Sequence, residues 1–320
     1  MNNINKPFYS KKVSLKSIIV EKSIKYFFML NGLVTLFIIL LIFFFLLNEA
    51  LQGLNSIPFS EFFFHKQQND GNKLVFQWYP TSQEPRYSLI PLILGSLLTA
   101  IPATIISSIF GIAIGIYLSE IANHKLREIL KPFIELFSSI PTVVLGFILL
   151  AAGASFLGDV FHPASRLNAF LASIGLSLIV IPIIATLTED ALRSIPNDIR
   201  LASYSLGATK WQTITKIILP AAINGASASI ILGFGRAIGE TMIVLMTTGN
   251  AGEITFNIFR SVRTMTATMA AETGEVSQYS SHYYALFFIG FSLFVITFVL
   301  NLIAEIIINR MKLKFSKYER

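Results

Sequence analysis

The sequence predicts an all-α, polytopic membrane protein with six transmembrane helices and a structured elbow on one side. Three observations carry this. Of 320 residues, 53% are hydrophobic and only 13% charged, with mean hydropathy +0.66, whereas soluble domains carry about 25% charged residues. Six apolar runs reach the roughly 20 residues that a helix needs to cross a bilayer. Of the 25 lysines and arginines, 18 fall on the tails and alternate connections between those runs.

The expected spans are 26–47, 89–118, 133–151, 169–187, 221–247 and 285–308. The first follows a basic tail, 1–25. Its apolar run is too long for a signal-peptide core and no small-residue cleavage site follows, so it reads as a retained membrane anchor. The second and fifth are long and broken by Gly and Pro, which points to tilt or interruption. Between the first two spans, 48–88 mixes aromatics ("FSEFFF", "FQWYP") with turn residues. It reads as a loop resting its rings at the membrane interface, or as a contact surface for an external partner.

The tail 1–25 holds six lysines; 119–132 holds three Lys/Arg, 188–220 four and 309–320 five. The opposite connections hold three (48–88), one (152–168) and two (248–284). The positive-inside rule then puts both termini in the cytoplasm, as an even number of spans requires. This asymmetry accounts for the net charge of +7 and leaves little reason to expect nucleic acid. Cysteine is absent, which excludes disulfides and thiolate chemistry, and the four histidines have no metal-ligand spacing. With no G-x-x-x-x-G-K-[ST] loop, nucleophile elbow or paired carboxylates, the chain reads as neither an ATPase nor another enzyme.

Two segments carry more than hydropathy. Residues 188–220, "TEDALRSIPNDIRLASYSLGATKWQTITKIILP", are too structured for a plain connection. Helical spacing after Pro196 puts Ile199, Ala202, Ser203 and Leu206 on one face; Gly207 breaks it, and periodicity resumes up to Pro220. Taken alone, this is an interfacial amphipathic helix with Lys210, Trp211 and Lys216 at the headgroups. The other segment, "GFGRAIGETMIVL" at 233–245, sets Arg236 and Glu240 four apart inside an apolar run, within reach of one another on a helix. A straight helix from Pro220 places Arg236 about 24 Å along, beyond the bilayer midplane. A charge there faces a partner or a wet cavity. The pair either locks helices together or offers a guanidinium fork to a passing oxyanion. Gly235 and Gly239 beside it suggest close helix approach. Ser138, Ser139 and Thr142 around Pro141 are further candidates for lining a path, or for interface packing. Arg260, Arg263, Glu272 and Glu275, on the expected outer side, read either as a plain solvated loop or as a contact surface for another protein.

The elbow resembles the docking loop of ABC importer permeases, whose pattern is Glu-Ala-Ala, three residues, Gly, nine residues, Ile, one residue, Leu-Pro. Ala202, Gly207, Ile217, Leu219 and Pro220 match; Leu201 stands at the glutamate and Ser203 at the second alanine. With 126–150, 188–196, 232–250 and 269–276, the chain from about residue 75 onward is similar to the permease of the phosphate-specific transport system, PstC type, with the PstA-type sister as near alternative. The resemblance implies a type I (MetI-like) permease core at 89–308, a coupling elbow at 197–220 and a short cytoplasmic tail at 309–320, in a bacterial cytoplasmic membrane. It also implies ATP-driven import of inorganic phosphate by alternating access. The partners it implies are a PstA-like sister permease, two PstB-like ATPases carrying ATP and Mg, and an external PstS-like phosphate-binding protein; this chain itself would bind no cofactor. Arg236, Glu240, Ser139 and Thr142 become the expected path or gate. Rival readings are a permease for molybdate, sulfate or phosphonate, and an ion-coupled secondary transporter acting alone.

Overall fold

The computed structural model describes residues 15–67 and 73–316. Most of the basic tail (1–14), the tip of the loop 48–88 and the last four residues lie outside the described residues.

Apolar runs in a bilayer become helices because every backbone N–H and C=O must be satisfied within the segment. Among the described residues, five helical stretches are long and apolar enough to cross a membrane: Val20–Ser56, Ile90–Ile121, Thr142–Phe161, Ala169–Arg193 and Ser281–Ile306. A bent pair, Lys210–Ala221 and Ile223–Ile238 at 67°, makes six where the two are counted as one span. In order, α1 is Leu15–Ser56 and α2 Ile90–Ile116, prolonged by a wider turn at Tyr117–Ile121. Then come α3 (His124–Ser138), α4 (Thr142–Ile148), α5 (Ala154–Phe161) and α6 (Ala169–Arg193). The elbow comprises α7 (Asn197–Ser205), α8 (Lys210–Thr213) and α9 (Leu219–Ala221). The chain ends with α10 (Ile223–Ile238), α11 (Met242–Thr247), α12 (Met265–Glu272) and α13 (Ser281–Ser316).

The third span departs from expectation. Residues 133–138 finish the amphipathic α3, Pro141 caps the next helix, and the crossing runs Thr142–Phe161. Leu126, Ile129, Phe133 and Leu136 make one exposed face of α3, and this apolar face pulled the expected span toward the N-terminus.

The centre of the bundle is α6, flanked by α2 and α10. Lipid offers no hydrophobic drive between helices, so small side chains and buried hydroxyls hold them. A Cβ added at Gly111 or Gly115 of α2 would lie under 3 Å from Ile184 and Thr188 of α6. Ser173 Oγ donates to the Thr99 carbonyl at 3.0 Å, and the Thr188 and Ser229 hydroxyls meet at 3.1 Å. On α10 the packed row is Gly225, Ser229 and Gly233, against Ala191, Thr188 and Val180. The expected row does not pack within this chain: a Cβ at Gly235 meets nothing within 4 Å, and one at Gly239 meets only the Gly235 carbonyl. Outside this core, α1 is exposed along most of its length and leans on α13 through Phe43 with Phe291 and Phe294.

In its described residues the segment 48–88 is more ordered than a plain loop, with Phe59, Phe63 and Phe76 still exposed. It forms two short hairpins, β1 (His65–Gln67) with β2 (Lys73–Val75) and β3 (Trp78–Tyr79) with β4 (Arg86–Tyr87). Phe62, Trp78 and Tyr87 are buried in a cluster with Met265, Leu286 and Ile289, and Phe62 stacks on Phe288 at 4.0 Å. It is a lid folded onto α12 and α13.

Candidate functional site

Two places combine charge with broken helix. The first is the end of α10. Sixteen residues rise about 24 Å, short of the roughly 30 Å hydrocarbon core. The helix stops at Ile238, and Gly239, Glu240 and Thr241 turn the chain into α11. Arg236 therefore lies in the last turn before an interruption, not midway along a straight rod. Its Nη1 is 3.2 Å from a Glu240 carboxylate oxygen. The partners sit differently: the Glu240 side chain is 4% exposed, the Arg236 side chain 47%. Glu240 also accepts the Met242 N–H at 3.2 Å, and its carbonyl accepts Thr266 Oγ1 of α12 at 2.8 Å. The break is thus pinned, and Glu240 holds the root of Arg236 while most of the guanidinium stays accessible. Within α10, Ala226, Ser229, Gly233 and Ala237 are buried against the bundle, while Leu232, Arg236 and Gly239 form a strip this chain leaves uncovered. A cation held on such a strip suits an oxyanion by charge and planar geometry.

Ser139 and Thr142 are not brought to this pair by any hydrogen bond among the described residues. The Ser138 and Ser139 hydroxyls donate to the Glu135 carbonyl, finishing α3, while Thr142 opens α4. What α4 gives the broken span is backbone: Gly146 packs on Met246 and Ile243 of α11.

The second place is the elbow. α7 ends in a Schellman turn: Ala208 N–H bonds the Ser203 carbonyl, Gly207 N–H bonds the Tyr204 carbonyl, and Gly207 sits at φ +82°. Thr209 then starts α8 with a capping box through Gln212. The Ser203 and Thr213 hydroxyls, 2.8 Å apart, tie the two arms. Ile218 is buried with Leu192 and Ile195 from the end of α6; Ile217 and Leu219 lean on that cluster, and Pro220 lies inside α9 before the bend. The face of α7 that carries Ile199, Ala202 and Leu206 points away from the bundle. Only Ser203 is buried; Ala202 is exposed, Leu201 and Ile199 face out, and Leu206 is 89% exposed. An exposed apolar row of this kind marks an interaction surface, toward protein or toward lipid.

Two further charged clusters escaped sequence reading because they join distant segments. Arg127 and Lys131 of α3 meet the fully buried Glu189 of α6 at 2.5 and 2.9 Å. Burial alone lowers the Lys131 pKa, but the bonds to Glu189 and Asp190 outweigh it and the net shift is upward. Its contribution to stability is therefore complete below the ordinary lysine value and fades only as pH rises through the raised one. At the opposite end, Glu272 accepts Trp78 Nε1 and pairs with Arg263 at 2.6 Å and His282 at 2.8 Å. Arg263 and Glu272, which the sequence marks as a solvated loop or a contact surface, clamp the lid, beside a 640 Å³ cavity that Glu275 also lines.

Residues 111–313 match the family described as binding-protein-dependent transport system inner membrane component. The chain belongs to that family. The family's region holds the elbow, the broken span and α13, while α1 and the lid precede it. A probable ABC transporter permease protein, YqgH of Bacillus subtilis, is 34% identical over 73% of this chain and 76% of its own length. The phosphate transport system permease protein PstC of Mesorhizobium japonicum is 30% identical over 73% of this chain and 76% of its own length. Among solved structures, a bacterial ABC transporter involved in alginate import matches at TM-score 0.60 and 15% identity, over 91% of this chain and 98% of that one. The inward-facing MetNI methionine transporter matches at 0.56 and 18%, over 70% and 95%. At such identities the likeness is one of fold, a MetI-like permease core. The chain is accordingly a multi-pass permease subunit of an ABC importer, a transport component and not an enzyme.

Proposed function

We propose that this permease subunit moves inorganic phosphate inward, with Arg236 on the translocation path. The observation carrying this is the asymmetric pair at the break in α10: Glu240 buried, Arg236 half open on an uncovered strip. Relatives named as phosphate permeases support the choice of anion. In this reading a PstA-like sister covers the strip and completes the path, and the uncovered face of Gly235 lets it approach closely. Two PstB-like ATPases holding ATP and Mg receive the exposed leucines of α7, and a PstS-like protein delivers phosphate to the lid side. ATP-driven closure of the ATPases then moves the elbow and alternates access. The elbow and both termini face the cytoplasm.

The test is uptake of radiolabelled phosphate into cells or proteoliposomes carrying the complete complex. Arg236→Gln should lower uptake by about tenfold or more, equivalent to about 1.4 kcal/mol, with normal assembly. Arg236→Lys should restore part of it, since a point charge lacks the fork. Competition by molybdate, sulfate and phosphonate should be weak. Full uptake with Arg236→Gln, or stronger uptake of another oxyanion, overturns the assignment.

A further inference from the structure

Among its neighbours in the elbow, Arg200 is the residue whose bonds leave the elbow. Its guanidinium bridges Glu120 twice, Nη2 to Oε1 at 2.7 Å and Nε to Oε2 at 3.3 Å. It also donates to the Leu192 carbonyl at 2.9 Å and the Ile195 carbonyl at 2.7 Å. Glu120 lies in the wider turn that ends the second span, and Leu192 and Ile195 lie in and just beyond the last turn of α6. Both side chains are largely buried, 14% and 6% exposed. A helix end presents unpaired carbonyls with negative partial charge, and a planar cation with several donors satisfies them. Among the described residues, the other side-chain bond that leaves α7 is Ser203 to Thr213, which stays inside the elbow.

We propose that Arg200 is a positioning residue for coupling, a rigid clamp that passes displacement of α7 to the second span and to α6 together. The argument is mechanical. Leucines packed at Ile218 and Leu192 slide past one another at little cost, whereas four directional bonds from one fork fix distance and angle. Covalently, α7 is joined to α6 through residues 194–196 and to α10 through α8 and α9, and neither route reaches α2. With Arg200 in place, the same push reaches α2 as well, and the bonds to the last turn of α6 fix the angle between α7 and α6. This rests on the reading that ATPases dock at the elbow.

The experiment uses the complete complex in proteoliposomes and measures phosphate taken up per ATP hydrolysed. Leu206→Cys, in a chain that has no cysteine, reports docking by cross-linking to the ATPase. Arg200→Gln should retain the cross-link and keep ATP hydrolysis within about twofold, while uptake per ATP falls about tenfold or more, in the range of allosteric coupling. Arg200→Lys should recover part of the ratio. Glu120→Gln, which spares the carbonyl bonds, should lower it less than Arg200→Gln. A ratio unchanged in both Arg200→Gln and Glu120→Gln overturns the clamp, as does a fall of hydrolysis and uptake in equal proportion. If Arg200→Gln does not assemble, Glu120→Gln decides by the same ratio. Absence of the cross-link in the Leu206→Cys chain removes the docking reading itself, and the clamp with it.

Discussion

Arg236 and Glu240 stand four residues apart, yet only Arg236 rides the helix; Glu240 lies past its end, in the turn that starts α11. Two intramembrane charges were visible in the sequence because each is costly in lipid. Their unequal exposure was not, since it depends on Thr266 and Met242 closing over Glu240. A double change separates the roles. With both charges removed, no unpaired buried carboxylate remains. Arg236→Gln with Glu240→Gln should therefore assemble normally and still fail in phosphate uptake; recovery of uptake in the double variant would give the pair a purely structural role. Gly233 tests the packed side of the same helix. A Cβ there would lie within 3 Å of Val180 and Ile184. Gly233→Leu should cost about 1–3 kcal/mol by overpacking, read as a lower yield of extracted complex, whereas Gly235→Leu should leave the isolated subunit's thermal stability unchanged.

At the scale of the element, the elbow was the most legible part of the chain. Gly207 and Pro220 punctuate it in the sequence, and the turn at Gly207 and the bend after α9 are where they fall. What the pattern left open was which way the stripe on α7 points, because periodicity marks a stripe without saying what covers it. The turn sets the next prediction. Gly207 has φ +82° and open space around its missing side chain, so substitutions act through the backbone and not through clashes. Proline, fixed near φ −65°, cannot adopt the turn, and Gly207→Pro should abolish uptake with the spans still inserted. Gly207→Asn, tolerant of the left-handed region, should retain most uptake, and Gly207→Ala should fall between them, at a cost of about 1 kcal/mol. Equal uptake in all three would remove the turn from coupling. The third span teaches the converse. An apolar face on α3 looks like membrane to a hydropathy window, and only Pro141 and the bonds of Arg127 and Lys131 to Glu189 reveal that α3 stands apart from the crossing.

For the whole molecule, the alternation of basic connections predicts which ends face which way. The elbow, the end of α2 and α3 gather at one end of the bundle, the lid and α12 at the other. Single cysteines at Ser82 on the lid and Leu206 on the elbow should react with an impermeant thiol reagent from opposite sides of a sealed membrane. The chain's lack of cysteine makes this readout clean. Labelling of Ser82→Cys and Leu206→Cys from the same side would refute the proposed orientation. Composition and run length determined the class and where the apolar helices fall, and periodicity with Gly207 and Pro220 determined the position of the elbow, because these follow from what each short segment must do to its own backbone in lipid or water. Only the tertiary structure decided which glycines pack, that Phe62, Trp78 and Tyr87 close a lid beside Glu272, and that Arg200 reaches two spans. Those depend on residues as far apart as Trp78 and Glu272 meeting in space, and no local pattern encodes such a meeting.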